Sequence, residues 1–489
     1  MINMKTAFGF QFDSRYLALP ECFYSYVNPM PVKAPKMVIF NAQLSNQMGL
    51  DFSSVNDKEK AEIFSGNLLV EGAAYFSQAY AGHQFGYFTI LGDGRAIVWG
   101  EHINPDGKSV DIQFKGSGLT PYSRQGDGRA ALGPMLREYL ISEAMYYLGV
   151  PTTRSLAVIE TGDIILRQNE VSGAILTRVA SSHIRVGTFE FAAANNNHNL
   201  VQALLDYTIK RHYPDLAVSD NKAIALLQHV MERQADLIVD WMRIGFIHGV
   251  MNTDNMTLSG ETIDYGPCAF MDFYDAHKVF SAIDHMGRYA YCNQPKIAQW
   301  NLSKLAESLL PLVHQDLNKA VDLAQETINL FPDIYQKKWL SMMRNKLGLL
   351  GKDPLDEQLI ADLLDWMQKN HADFTNTFRD LSQENRPSGR LYQTKSFDNW
   401  YLRWQARLKQ NNQPLEIAIR LMKRTNPALI PRNHKVEQAL GAANNGDFAL
   451  LYDLVNILKE PYKDDDALIE YQRPPLLSDA RVYQTFCGT

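Results

Sequence analysis

The chain has 489 residues, 46% of them hydrophobic and 21% charged, with a formal net charge of -6 at pH 7. This is the make-up of a soluble globular protein with a core of adequate size, divided into roughly two to four structural units or built as one large bilobal enzyme. The mildly acidic balance gives no reason to expect nucleic acid as a partner, and the lack of any run of about eighteen apolar residues argues against a membrane-spanning helix.

Residues 1–30 hold Lys5 and Arg15 but no apolar stretch of signal-peptide length, which argues against secretion. Cys22, Cys268, Cys292 and Cys487 lack C-x-x-C spacing. That pattern suits a reducing compartment without a zinc site, so the expected location is cytoplasmic.

Along the chain, residues 20–36 are rich in proline (Pro20, Pro29, Pro31, Pro35) and are expected to run extended over a surface. From residue 86 to 190 the pattern favours strands. Tyr87–Leu91 and Ala96–Trp99 flank Gly92-Asp93-Gly94, which predicts a hairpin. Val110 to Lys115 alternates strictly, with 110, 112 and 114 on one face and Lys115 on the other. Pro134 opens a predicted helix with the stripe Leu136, Tyr139/Leu140, Glu143/Ala144, Tyr147/Leu148, ending at Gly149. Leu156–Glu160 and Ile164–Arg167 are predicted strands that turn at Thr161-Gly162-Asp163, and a further strand runs from Ala174 to Val179.

After residue 190 the chain turns helical. Asp220 is the expected N-cap of a long helix with Ile224, Leu227, Val230, Ile238 and Trp241 on its apolar face. From 296 to about 460 the composition is helix-forming, with boundaries near Pro311, Pro332, Pro354 and Pro427. Strands with one helix first, then helices, is the order of a protein kinase. The expected class is α+β: a bilobal protein-kinase-like fold with a strand-rich N-lobe and a mainly helical C-lobe. Its expected divisions are an N-terminal extension packing on the lobes (1–85), the N-lobe (86–190), the C-lobe (191–475) and a tail (476–489).

Several short stretches carry chemistry. Gly92-Asp93-Gly94-Arg95 and Gly126-Asp127-Gly128-Arg129 are two matching glycine turns; each alone is an ordinary β-turn. Glycine also lets backbone N–H groups approach phosphates, and Arg95 just past the first turn has a guanidinium that suits phosphate oxygens. Lys115 closes its strand before Gly116-Ser117-Gly118. Such a lysine is ordinarily a solvated edge residue, but a kinase pairs its strand lysine with a glutamate on the next helix. Glu138 and Glu143 both qualify by spacing. Arg178 and Arg185 bracket Ser181-Ser182-His183 near the expected lobe junction, and could be surface charges or ligands for an unusually oriented triphosphate.

The stretch His248-Gly249-Val250-Met251-Asn252-Thr253-Asp254-Asn255, followed by Ile263-Asp264-Tyr265-Gly266, has the outline of a kinase catalytic loop (H-R-D-x-x-x-x-N) and its D-F-G. Asn255 and Asp264 fall where a kinase binds metal, and such oxygen ligands suit magnesium or manganese. Val250 stands in place of the catalytic aspartate and can accept no proton. Asp254 is the nearest carboxylate that could replace it. No cluster of His, Cys and carboxylates has zinc-ligand spacing.

These pieces resemble the selenoprotein O family of kinase-like protein adenylyltransferases. The resemblance extends over nearly the whole chain, through Ala81-Gly82-His83-Gln84-Phe85-Gly86, Leu91–Ala96, Gln113–Gly118, His248–Met256, Ile263–Pro267 and Leu477-Ser478-Asp479. It implies an enzyme that binds ATP in an inverted orientation and transfers AMP to Ser, Thr or Tyr hydroxyls of protein substrates, with magnesium or manganese. Carried over position by position, Lys115 and Glu138 form the ion pair. Gly92, Gly94, Arg95, Lys115, Asp127, Gly128, Arg178, Arg185 and Asp264 contact the nucleotide. Asp254 is the base, and Asn255 and Asp264 hold the metal. Many members carry a redox-active Cys or selenocysteine near the C-terminus; Cys487 keeps a thiol there, but 276–280 reads Ala-His-Lys-Val-Phe and lacks the partner cysteine. Three alternatives stand beside AMP transfer. They are UMP transfer from UTP, an orthodox phosphotransferase (which Val250 disfavours), and a non-catalytic nucleotide-binding scaffold (which retention of Lys115, Asp254, Asn255 and Asp264 disfavours).

Overall fold

The strictly alternating run from 110 to 115 lies at the heart of the first lobe. The structure, a computed structural model, describes residues 8–486. Its strands are β1 (Tyr24–Tyr26), β2 (Lys36–Phe40), β3 (Phe76–Gln78), β4 (Ala81–Gln84), β5 (Tyr87–Ile90), β6 (Ala96–Ile103), β7 (Ser109–Lys115), β8 (Ala130–Ala131), β9 (Arg154–Leu166) and β10 (Glu170–Ala180). One antiparallel sheet has the order β1-β3-β6-β7-β10-β9-β2, with β8 on β10. Three of its strands come from before residue 86.

β7 lies between β6 and β10, so both of its edges are paired. Ile112 and Phe114 pack with Ile97 and Trp99 against Phe52 and Phe64. These come from the stretch that holds helices α1 (Ala42–Gln47) and α2 (Asp57–Ser65). The opposite face carries Asp111, Gln113 and Lys115 toward α3 (Leu132–Tyr147), whose Leu136 and Tyr139 pack with Val98, Val158 and Leu176. Lys115 is therefore buried inside the sheet and is not a solvated edge residue.

Two predicted hairpins are corrected. β5 pairs with β4, not with β6, through the tight turn Phe85-Gly86, where both residues have positive φ (50° and 93°). That is the primed geometry that matches strand twist. Gly92-Asp93-Gly94 instead leaves the hairpin, because the Asp93 carboxylate is drawn inward to accept from Gln78 N (3.1 Å) and Gln113 Nε2 (3.2 Å). The predicted turn at Thr161–Asp163 is a bulge inside the single strand β9: the register with β10 shifts between Ser172 and Ala174, and Gly162 takes φ +73°. In the proline-rich stretch, Glu21–Phe23 makes a 3-10 turn that buries Phe23.

The second lobe contains α4 (Val186–Ala194), α5 (His198–His212), α6 (Lys222–Ile244) and α7 (Gln294–Val313), with further helices to residue 482. α6 is capped by Asn221, one residue beyond the expected Asp220, and stops at Gly245 with φ +72°. Pro311 sits in the last turn of α7, which ends close by at Val313. β11 (Phe246–Ile247) pairs with β12 (Ala269–Phe270), bracketing the loop that carries 248–264. No helix among the described residues is long and apolar enough to cross a membrane.

Cys487 lies outside the described residues. Cys268 is fully buried, and burial pushes its thiol up to about 12 although Arg137 opposes the shift. Cys22 is exposed and Cys292 half-buried. In native protein a maleimide is expected to modify Cys22 and Cys292 and to leave Cys268 at least about tenfold slower, since a buried protonated thiol is inert. Peptide mapping after brief labelling checks this; equal labelling of Cys268 would mean that the segment after Asp264 opens readily.

Candidate active site

The lobes face each other across a cleft of about 1000 Å³ lined by Gly92, Gly94, Arg95, Lys115, Asp127, Gly128, Arg178, Arg185, Asp254, Asn255 and Asp264. Arg124, Arg129 and Arg167 add to its cations, which outnumber the carboxylates Asp93, Asp127, Asp254 and Asp264. Walls of one dominant sign focus the field and favour a polyanion.

At the closed end, Lys115 Nζ lies 2.7 Å from Glu138 Oε2 and also pairs with Asp264. Glu138 Oε1 accepts from Arg178 Nε at 2.8 Å and Nη2 at 2.5 Å, and Arg178 Nη2 is 3.5 Å from Asp264 Oδ1. Two cations thus alternate with two carboxylates. Glu143, the other glutamate open by spacing, is occupied elsewhere: Arg154 grips it at 2.7 and 2.8 Å, and Asn41 and Ser155 N donate to it. Burial alone would raise the pKa of Glu138, but Arg178 and Lys115 outweigh it and hold the carboxyl below its ordinary value. For Asp264 the same contest, burial against Lys115, Arg178 and Arg95, ends with the carboxyl held well below the usual carboxylate range. Its side chain keeps 37% of its surface open to the cleft, so the enclosure is one-sided. Asp264 takes a left-handed φ of +67°, which a short polar side chain tolerates.

The glycine loop is braced from behind. A Cβ at Gly92 (φ +140°) would run into the Tyr122 ring. Thr120 Oγ1 donates to Asp93 O (2.7 Å) and Ser123 Oγ to Gly94 O (2.5 Å), so the loop ahead of the second glycine turn secures the first. Gly128 (φ +69°) lies against the backbone of Gly118. Asp127 stands at the rim, gripped by both Arg167 nitrogens at 2.8 and 3.0 Å. Arg185 stacks over the Tyr80 ring (4.2 Å) and lies 3.7 Å from Asp93.

On the opposite wall, His248 is buried and its Nε2 lies 2.9 Å from Ile263 O, tying the two ends of the loop together. Asp254 is only 8% exposed, its Oδ1 is buried with no hydrogen-bond partner, and Gln84 stands beside it in the cleft wall. Burial pushes this carboxyl up to about 6, against the pull of Arg185. A buried carboxylate oxygen without a donor suits an incoming hydroxyl proton.

For a divalent ion, Asn255 and Asp264 are the residues that would supply donors. Asn255 spends its Nδ2 on Val250 O (3.1 Å), and its amide oxygen remains for another partner. No cluster of three His, Cys, Asp or Glu among the described residues forms a metal cage. One amide oxygen plus one firmly ionised carboxylate nevertheless fits magnesium or manganese, which keep waters and substrate phosphates as their other ligands.

Sequence reasoning did not single out Tyr80, Gln84, Asp93 and Tyr122 for the cleft. Gln84 lay within a stretch noted only for its family resemblance, and nothing in local spacing marks a tyrosine as a buttress for a glycine loop.

The chain matches the family described as "Protein adenylyltransferase SelO" over residues 7–459. It is 57% identical over 482 residues to a Nitrosococcus oceani protein described as protein nucleotidyltransferase YdiU, spanning 98% of each chain. A protein of the same description from Syntrophotalea carbinolica is 54% identical over 488 residues, 100% of this chain and 99% of that one. Among solved structures, ROP2 from Toxoplasma gondii, described as a virulence factor with a protein-kinase fold and no enzymatic activity, is similar at a TM-score of 0.24 and 10% identity, over 69% of this chain and 88% of that one. So faint a likeness carries no weight here.

Proposed function

This chain belongs to the SelO family of protein adenylyltransferases, and on that premise we propose that it transfers AMP from ATP to Ser, Thr or Tyr hydroxyls of other proteins. The observation that carries this reading is the buried, unpartnered Oδ1 of Asp254 on the cleft wall, with Val250 where a kinase has its base. The hydroxyl oxygen attacks the α-phosphorus and its proton passes to Asp254. A new O–P bond forms as the bond from the α-phosphorus to the bridging oxygen breaks, and pyrophosphate leaves.

Lys115, Arg178 and Arg185 neutralise the departing charge, which an inverted nucleotide would bring to the closed end of the cleft. Their guanidinium and ammonium groups are fixed by Glu138, Asp93 and the Tyr80 ring before substrate arrives. Preorganised charge of this kind is a large term in phosphoryl and nucleotidyl transfer. Magnesium or manganese held by Asn255 and Asp264 would supply further neutralisation on the phosphate oxygens. Arg95 and the backbone of Gly92, Gly94 and Gly128 border the remaining nucleotide, with Asp127 at the rim.

The test follows label. With α-phosphate-labelled ATP, label is expected to enter protein, and with γ-labelled ATP none is expected. Intact mass should show a gain of AMP and not of phosphate. Incorporation of γ-label without α-label would make the chain a kinase with a relocated base and end this reading.

A further inference from the structure

The hairpin β4–β5 crosses from the first lobe to the loop carrying Asp254, and its two outer edges are treated differently. Leu91 N donates to Tyr80 O at 2.9 Å. With the register Gly82↔Thr89 and Gln84↔Tyr87, this fixes which pairs exchange bonds across the hairpin. His83 and Phe88, and Ala81 and Ile90, are the pairs whose backbone N–H and C=O groups point outward. On the β4 side the outward groups are satisfied by the second lobe: His83 N donates to Thr253 Oγ1 at 2.6 Å, and just past the strand Phe85 N donates to Asn252 Oδ1 at 3.1 Å. Thr253 is held in turn by Glu190 Oε2 at 2.5 Å, and Glu190 also pairs with His83 Nδ1. On the β5 side no strand pairs with the outer edge among the described residues.

That open edge is protected by little beyond its shortness, at four residues. Tyr87-Phe88-Thr89-Ile90 has no charge, proline or bulge, although Phe88 is 46% and Ile90 60% exposed. Natural edge strands are normally blunted by such devices because an open ladder recruits another chain. The hairpin is rigidly referenced to the base: a Cβ at Gly82 would overlap the Asp254 carboxylate, and His83 and Phe85 bond the loop residues just before it. Leu91 and Gly92, directly after β5, line the cleft.

We infer that β5 is the docking edge for the protein substrate: an extended segment of the acceptor adds as a strand to Phe88 and Ile90, and the chain beyond it enters the cleft with its hydroxyl. This rests on the transfer reading above. Main-chain pairing of this kind accepts many sequences, while Phe88 and Ile90 select apolar side chains beside the ladder. The hydroxyl-bearing residue itself lies outside the added strand, because a strand paired to β5 runs about 10 Å from β4, two strand spacings away.

The test uses the full chain with dephosphorylated β-casein, an unfolded hydroxyl-rich protein, as acceptor. Phe88→Pro removes one outward N–H without touching the β4 ladder, and Ile90→Lys places a charge on the edge. Each is expected to lower kcat/KM for casein roughly tenfold through KM and not kcat, Phe88→Pro by the loss of a backbone bond and Ile90→Lys by the loss of an apolar contact beside the ladder. ATP affinity and AMP release to water should stay within about twofold of wild type. Casein should also slow amide hydrogen exchange across residues 87–90 of the wild-type chain, a readout independent of transfer. Unchanged kcat/KM in both variants together with unaltered exchange at 87–90 would overturn the docking edge even if AMP transfer proceeds. Slowed exchange in a chain that transfers no AMP would keep the edge and overturn the transfer reading instead. A change of oligomeric state in the two variants, with KM unmoved, would assign the edge to a second copy of this chain and overturn the inference.

Discussion

Asp264→Ala is expected to abolish nucleotide transfer, lowering its rate by about a thousandfold or more, equivalent to about 4 kcal/mol in the barrier. The carboxylate serves two ends at once. It is the one firmly ionised group facing the cleft beside Asn255, held so by Lys115, Arg178 and Arg95 against the pull of burial. It also pairs with the lysine that reaches the phosphates in the proposed reading. Removing it should cost little in folding, because Lys115 keeps Glu138 at 2.7 Å and Arg178 keeps the same carboxylate. Single-turnover transfer across a manganese titration, with a thermal melt alongside, checks both halves. Full activity in the variant would remove Asp264 from the metal and nucleotide assignment; an unfolded variant would make it structural.

Asp254→Asn carries the second largest expected effect, a loss of roughly a hundred- to ten-thousandfold in kcat, the range over which a general base contributes. The amide keeps the size of the carboxylate, so the fit beside Gly82 and Gln84 is preserved while the proton acceptor is lost. ATP affinity is expected to hold or tighten, since one negative charge leaves a cleft meant for a polyphosphate. Measured Kd and kcat separate the outcomes. Collapse of affinity with turnover intact would recast Asp254 as a binding residue and leave the reaction without an identified base.

How much of this was legible in the sequence depended on range. Lys115, Asn255 and Asp264 could be found because strand alternation and loop spacing are local. Glu138 could not be separated from Glu143 locally, as both sit along one helix. The decision comes from Arg154, beyond the helix, which grips Glu143 and leaves Glu138 for Lys115 and Arg178. The glycine-aspartate-glycine turn misled for the same reason: Asp93 is claimed by Gln78 and Gln113, and no local signal announces that β5 will pair backward to β4. The segment before residue 86 offered little alternation, yet it supplies three strands to the main sheet, because pairing across sequence overrides weak local preference.

The bracing of the glycine turn at 92–94 by the loop at 120–123 bears on the entropy of binding. Thr120 and Ser123 hold the carbonyls of Asp93 and Gly94, and Tyr122 fills the space where a side chain on Gly92 would lie. Fixing a flexible backbone costs about 1–2 kcal/mol per residue at room temperature. Here folding has already met that cost, so a nucleotide entering the cleft need not freeze a mobile flap in order to be held. Loosening the brace at Ser123 or Thr120 would transfer the entropic penalty from folding to binding, where it would appear as weaker nucleotide affinity in a protein whose contacts to the nucleotide were all still in place.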